Sequence, residues 1–322
     1  MLAQTQYQEI EVQFANGEIH LAGMLLQPQC PALVPAVILI HGSGPEQRNG
    51  ASNMLRDAAV QFALRGIAAL IYDKRGNGSS SGDWTHANFD DLAADAIAGV
   101  KFLQEQPGID PGRVGVWGFS QGGFIAPLVA AGSSDVAFTI IISGAAVTPE
   151  RQELARVTQH MCADGFSEED IAEGVTAMQQ ANSYTRTGNG WETLEACYQE
   201  AVNRHVKWLP YLGGHLAPKD HWYWAWWREV MDFNPLVAHR QVKVPVLIIL
   251  GERDRTVPVV ESIPLFQQAF ASAGNPNLTI KVLPQANHGL RQAKTGGRIE
   301  NGSAQDYVPG YFETVLEWIS AL

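Results

Sequence analysis

Two stretches of this chain set a serine between glycines at the spacing G-x-S-x-G, a pattern able to present a nucleophilic hydroxyl. Gly118-Phe119-Ser120-Gln121-Gly122 follows the apolar run Arg113 to Trp117 and precedes the small, apolar stretch Phe124 to Ala131. That context reads as a strand, a glycine-locked turn and a helix, with Ser120 at the apex. Side chains at the flanking positions would collide with the neighbouring strand and helix, and the N–H groups at the helix start can receive an oxyanion. Gly78-Ser79-Ser80-Ser81-Gly82 fits the pattern equally well. It follows Asp73-Lys74-Arg75-Gly76-Asn77, which reads as loop, and precedes Asp83-Trp84-Thr85-His86, which is no amphipathic helix. Ser120 is therefore the expected nucleophile, ahead of the alternative of a helix N-cap, and Ser80 is expected to be a loop serine.

A serine hydroxyl reacts once a base removes its proton, and the base must be oriented by a third group. Both should come from loops at the carboxyl ends of later strands. The run Pro245 to Leu250 leads through Gly251-Glu252-Arg253 into Asp254, and Thr279 to Leu283 leads through Pro284-Gln285-Ala286-Asn287 into His288. Asp254 and His288 thus reach the same sheet edge as Ser120, in the chain order Ser, Asp, His that an elbow arrangement requires. Glu252, two residues from Asp254, is the rival acid. The remaining histidines, His205, His215 and His221 among them, lack paired ligand spacing and are expected to be solvated or capping, so no metal and no cofactor is expected.

The elements that must carry these residues follow from patterning. Glu9 to Phe14 and Glu18 to Leu26 are strand-like and joined by Asn16-Gly17, a tight-turn dipeptide of antiparallel hairpins. Ala36 to Ile40, Ile67 to Tyr72, Arg113 to Trp117, Phe138 to Ile142, Pro245 to Leu250 and Thr279 to Leu283 are short apolar runs without clean alternation, as in strands buried on both faces. Helical periods such as Leu92, Ala96, Ile97, Val100 and Leu103 lie between them, so a mainly parallel sheet with crossover helices is expected. The alternation stops between Ala146 and Arg240, where helical spacing, an N-cap in Ser167 with Asp170 three residues on, and the absence of strand patterns predict a helical insertion. Six of the nine tryptophans fall there, most densely at Trp222-Tyr223-Trp224-Ala225-Trp226-Trp227. They can form the insertion's own core, or line an apolar substrate pocket, and different members can do each.

Bulk properties exclude several classes. The 22 basic against 33 acidic residues, without a basic cluster, argue against nucleic acid and anionic membrane as partners. No run approaches the length of a membrane span. Met1 to Ile10 has neither the basic nor the apolar region of a leader. Cys30, Cys162 and Cys197, odd in number and widely spaced, are expected to be free thiols, which favours the cytoplasm.

The elbow, the G-x-x-D loop with Val257-Pro258 behind it and the terminal Asn287-His288-Gly289 resemble the α/β-hydrolase superfamily over nearly the whole chain. His41-Gly42-Ser43-Gly44-Pro45 and Asp73-x-Arg75-Gly76-x-Gly78-x-Ser80 add to the likeness, which is greatest towards the carboxylesterases and related serine-aminopeptidase-like hydrolases. The resemblance implies an α/β-hydrolase fold with an eight-stranded, mainly parallel sheet, a core formed by residues 1–146 and 241–322, and a helical cap over 147–240. It makes Ser120 the nucleophile, His288 the general base and Asp254 its orienting acid, with the backbone N–H groups of Ser43 and Gln121 as oxyanion donors. His41 would position the oxyanion loop, and Asp73 with Arg75 would tie the second loop to the first. At the first loop Ser43 stands where many lipases carry a glycine triplet and prolyl aminopeptidases carry two glycines before proline. The expected activity is a cofactor-free carboxylesterase on small to medium esters, with Trp222, Trp224, Trp226 and Trp227 as candidate pocket residues. The rival is an aminopeptidase, or another amide or thioester hydrolase with the same triad, using Glu168, Glu169, Asp170 or Glu173 to hold a substrate ammonium. A more remote alternative is a non-catalytic ligand-binding protein of the same fold.

Overall fold

The computed structural model describes residues 6–301 and 306–322; Met1 to Thr5, part of the stretch read for a leader, lies outside them. Eight strands form one sheet: β1 (Tyr7–Asn16), β2 (Ile19–Pro28), β3 (Val34–Ile40), β4 (Ala68–Tyr72), β5 (Ile109–Phe119), β6 (Phe138–Ile142), β7 (Val246–Gly251) and β8 (Leu278–Leu283). Their order is β1-β2-β4-β3-β5-β6-β7-β8, antiparallel across the first three and parallel from β4 onward. This is the expected eight-stranded, mainly parallel architecture.

Strand β3 shows why the central runs lack alternation. Ala36, Ile38 and Ile40 enter one apolar cluster with helices α2 (Phe89–Gln104), α3 (Gly122–Gly132) and α9 (Val259–Ser272), while Val37 and Leu39 enter another with α1 (Met54–Ala63) and α11 (Tyr311–Ser320). Both faces are covered, so every position is apolar. Strand β8 differs from the expected pattern: it is the sheet's open edge, and Lys281 and Val282 are exposed. The α2 helix starts at a capping box of Asn88 with Asp91 and buries Leu92, Ala96, Val100 and Leu103 as predicted. The hairpin turn falls one residue later than the Asn-Gly signal implied. Asn16 still pairs with Ile19 while its side-chain amide donates to Asp95 on α2 at 2.9 Å, and the turn is Gly17-Glu18, where Gly17 supplies the positive φ of +57°.

Between β6 and β7 the chain is helical, with α4 (Pro149–Ala163), α5 (Glu168–Thr187), α6 (Trp191–Asn203), α7 (Trp222–Val230) and α8 (Pro235–His239), and among the described residues it holds no strand. Ser167 caps α5 through the Asp170 N–H at 3.1 Å. The first three of these helices bury Val157, Met161, Ala177, Tyr184, Trp191 and Leu194 in an apolar cluster of their own, with Trp208 and Trp224. Trp227, Val230 and Met231 instead join the cluster over the sheet, so α7 spans both cores. The short α10 (Arg298–Asn301) lies in the loop after β8, and the three cysteines are free.

Candidate active site

The turn after β5 holds Ser120 at φ +53°, a conformation that a non-glycine residue adopts only under constraint. Two close approaches supply the constraint. A Cβ on Gly118 would overlap the carbonyl of Gly122, and one on Gly122 would stand 2.6 Å from the carbonyl of Ile40 on β3. The Ser120 N–H donates to the Ile142 carbonyl of β6 at 2.9 Å, pinning the elbow between its neighbours.

The three residues that the sequence put at one sheet edge come together in space. His288 Nδ1 lies 2.9 Å from Asp254 Oδ2, and its Nε2 lies 3.0 Å from Ser120 Oγ. A carboxylate only accepts, so Nδ1 carries the proton and Nε2 is left to accept from the serine hydroxyl. Asp254 is 2% exposed, and its other oxygen accepts from the N–H groups of Thr256 at 2.8 Å and Val257 at 2.9 Å. The acid is therefore held on both oxygens. Glu252 turns elsewhere: it accepts from the Gln285 N–H at 2.9 Å and does not meet the imidazole.

His41 is buried and sits 2.5 Å from the Tyr72 carbonyl through Nε2, joining the loop after β3 to the end of β4. Burial holds its pKa down at about 3, so the ring stays neutral and structural. Asp73 binds Arg48 of the first loop at 2.9 Å, as expected, with further bonds from the N–H groups of Arg48 and Ser79. Arg75 departs from the expectation. It reaches Asp95 on α2 at 2.7 Å rather than the first loop, because Asp95 is a buried acid facing it across that helix. Two histidines also depart from the solvated or capping role. His160 on α4 and His239 on α8 are buried, and burial lowers the pKa of each to about 4. His160 Nε2 stands 3.3 Å from Thr256 Oγ1, beside the loop that holds Asp254. His221 caps α7, and His205 and His215 are exposed.

A cavity of about 290 Å³ opens on Ser120 and is lined also by Ser43, Gln121, Phe124, Trp222, Trp226 and Trp227. Trp224 does not line it, contrary to the expectation of one shared pocket, and lines instead a neighbouring cavity within the helical segment. Two residues along a helix turn a side chain by about 200°. Trp224 therefore faces away from Trp222 and Trp226, against Tyr184 and Trp191 at ring distances of 5.2 and 6.1 Å. Patterning missed Tyr223, Gln152 and Glu153, which also line the cavity. A polar residue on α4 gives no sequence signal of facing a pocket on another element. A second cavity, of about 390 Å³, lies within the helical segment and shares Glu153, Trp222, Tyr223 and Trp227 with the first. The larger recess of about 920 Å³ beside Asp164, Arg253 and Lys294 is lined by none of Ser120, Asp254 and His288.

Residues 17–289 match the X-Pro dipeptidyl-peptidase (S15 family) profile. The chain belongs to that family. It is also similar to the esterase EstD of Thermotoga maritima, with 25% identity over 271 residues covering 83% of this chain and 57% of EstD. It thus spans little more than half the length of that relative. The thiohydrolase aneE of Aspergillus aculeatus is 24% identical, with 81% of each chain covered. Among solved structures, the Pyrococcus furiosus esterase Pf2001 superposes with a TM-score of 0.59 at 18% identity, over 98% of this chain and 91% of that one. The Butyrivibrio proteoclasticus protein Est1E, solved with ferulic acid bound, superposes with a TM-score of 0.58 at 18% identity, covering 96% of both chains. This S15-family chain is an α/β-hydrolase, as the elbow and its partner loops implied. Among its described residues no helix is long and apolar enough to cross a membrane.

Proposed function

We propose that this protein is a serine hydrolase acting by acyl transfer, a carboxylesterase on small to medium esters with an apolar acyl or alcohol part. The observation that carries the reading is the unbroken hydrogen-bond chain from Asp254 through His288 to Ser120 at 2.9 and 3.0 Å. Ser120 attacks the ester carbonyl while His288 Nε2 takes its proton, and Asp254 holds the imidazole in the required tautomer and stabilises the imidazolium. The N–H groups of Ser43 and Gln121 receive the oxyanion of the tetrahedral intermediate. His288 then protonates the departing alcohol, and water repeats the cycle on the acyl-enzyme. Residues 147–240 act as a cap, whose Trp222, Trp226 and Trp227 give the Ser120 cavity an apolar wall. The second cavity behind Tyr223 extends the space open to a longer substrate.

The S15 match favours a second reading, hydrolysis of an amide near a free amino group, as in release of an N-terminal dipeptide. That reading needs an acid in the pocket. Glu168, Glu169, Asp170 and Glu173 do not line the Ser120 cavity; the Asp170 carboxylate accepts from the hydroxyl of the capping Ser167 at 2.7 Å, and Glu173 binds Arg204 and the Trp208 indole. Glu153 does line it, but Arg156 neutralises that carboxylate at 2.7 Å. The neutralised acid and the aromatic wall favour an uncharged ester. Side-by-side turnover of p-nitrophenyl esters and of aminoacyl and X-Pro anilides, with fluorophosphonate labelling of Ser120, tests the choice. Faster anilide turnover selects the peptidase, and absence of labelling removes the serine mechanism.

A further inference from the structure

We infer that Lys74 is a positioning residue of the oxyanion site: its ammonium, hydrogen-bonded to the Gly42 carbonyl, polarises the peptide group whose N–H, on Ser43, receives the developing negative charge. The inference rests on the assignment of Ser43 as a donor in the proposed mechanism. Lys74 follows β4, in the loop beside the first one, and is 3% exposed. Its Nζ donates to the carbonyls of Gly42 at 2.6 Å and Gly44 at 2.8 Å, and lies 3.5 Å from Gln121 Oε1.

The Gly42 carbonyl and the Ser43 N–H belong to one peptide group. A cation on the carbonyl oxygen draws electron density from the nitrogen and makes that N–H a better donor, an effect amplified away from water. The two bonded carbonyls also flank Ser43, so the same contacts fix the rotation of its amide. Through Gln121 the ammonium reaches the loop carrying the other proposed donor. A transition-state oxyanion gains more from a polarised donor than does the neutral ester carbonyl, so the contribution falls in kcat rather than KM.

The charged state of Lys74 is poised rather than fixed. Burial lowers its pKa to about 8, and the neighbouring Glu46 carboxyl favours the protonated form. The other titratable groups nearby are His41, kept neutral by burial, and Asp73, whose carboxylate is engaged by Arg48. Below about pH 8 the ammonium is present; as pH rises through that value the proton leaves and the polarisation with it.

The test is steady-state hydrolysis of p-nitrophenyl butyrate from about pH 6 to about pH 10 by wild type, Lys74→Met and Lys74→Arg, with affinity for a trifluoromethyl ketone that forms a tetrahedral oxyanion adduct. Lys74→Met should lower kcat about tenfold to a hundredfold with KM little changed, weaken the ketone by the same factor, and abolish the alkaline fall in kcat. Lys74→Arg, which keeps a cation in the loop, should move that fall to higher pH. A Lys74→Met enzyme whose kcat stays within about twofold of wild type, or whose loss lies in KM with the alkaline fall intact, overturns the inference. If Lys74→Met does not fold, an unchanged alkaline fall in Lys74→Arg, or none in wild type, overturns it as well. Failure of wild type to label with a fluorophosphonate at Ser120 would instead remove the serine mechanism itself.

Discussion

Ser120 and Ser80 occupy the same five-residue pattern, but the chain surrounds them in opposite ways. The Ser80 hydroxyl donates to the Asp73 carbonyl at 2.6 Å and accepts from the Ala22 N–H at 3.0 Å, in a loop closed on itself by Asp73, Arg48 and Ser79. A carbonyl takes no proton at neutral pH, so this hydroxyl is held and not activated. The Ser120 hydroxyl faces a cavity and meets an imidazole nitrogen, a group that does take the proton. Strain separates the two as well: Ser120 has φ +53°, whereas in the other segment the glycines Gly78 and Gly82 carry the positive φ values and Ser80 does not. The pattern names a turn, and the partner of the hydroxyl decides whether the turn does chemistry.

Substituting the two serines gives the largest expected difference. Ser120→Ala should lower ester turnover on the order of a millionfold without loss of folding, while Ser80→Ala keeps turnover near wild type. Stopped-time assays on purified, folded variants check this, and similar losses in both would break the comparison. The same logic separates two acids two residues apart. Asp254→Asn should cost roughly ten-thousandfold in kcat by misorienting His288, whereas Glu252→Gln, which disturbs a bond to the Gln285 backbone and an ion pair with Arg253, should cost less than about tenfold. The reverse ranking would move the orienting role to Glu252.

These contrasts also show what patterning could and could not carry. Strands buried on both faces, the elbow and the chain order of Ser120, Asp254 and His288 follow from local sequence, because each is fixed by neighbours in the chain. What stayed illegible depends on elements distant in sequence. Asn16 bonds Asp95 on a helix far along the chain, Arg75 turns to that same acid, and Lys281 sits exposed in an edge strand whose Leu278 and Ile280 pack inward. Lys74 sits in a stretch that reads as polar loop, yet it is buried against the carbonyls of another loop. His239 packs edge-on to Phe266 and Phe270 at 5.1 and 5.4 Å, a burial that a histidine in a polar segment does not announce.

The α7 tryptophans repeat the contrast between the two serines on one helix: residues alike in type, separated by what they face. Trp224 lies in the apolar core of the helical segment with its indole N–H on the Pro218 carbonyl at 2.9 Å. Trp224→Ala should therefore lower stability by about 3–5 kcal/mol and leave KM unchanged for esters short enough to stay within the Ser120 cavity, since Trp224 lines only the second one. Trp226 lines the Ser120 cavity, so Trp226→Ala removes contact that substrate and transition state share. Its loss, about 1–3 kcal/mol, should appear in KM for a long-chain ester and shrink towards zero for an acetate. Calorimetry and two-substrate kinetics on both variants decide the point, and matching profiles would mean that the two rings share one role.

The smallest expected effect is also the finest test of the Ser80 loop. The register between β2 and β4 ends at Gly23 paired with Tyr72, and just beyond it the Asp73 N–H donates to the Ala22 carbonyl at 2.8 Å. The Ser80 hydroxyl takes up the Ala22 N–H at that point and returns its own proton to the Asp73 carbonyl, so it extends the ladder by a side-chain rung. Ser80→Ala leaves a buried N–H without this acceptor and should cost about 1–3 kcal/mol of stability. Catalysis should survive at temperatures well below unfolding, since no atom of Ser80 lines the Ser120 cavity. The loop does, however, begin beside Lys74, whose Nζ holds the Gly42 and Gly44 carbonyls. The decisive readout is therefore the alkaline side of the pH profile in Ser80→Ala. An unchanged alkaline fall in kcat with a lowered melting temperature means that Ser80 fastens the sheet and no more. A shifted fall would show that the ladder end also sets where Lys74 stands, and the second G-x-S-x-G segment would then act on catalysis through its lysine rather than its serine.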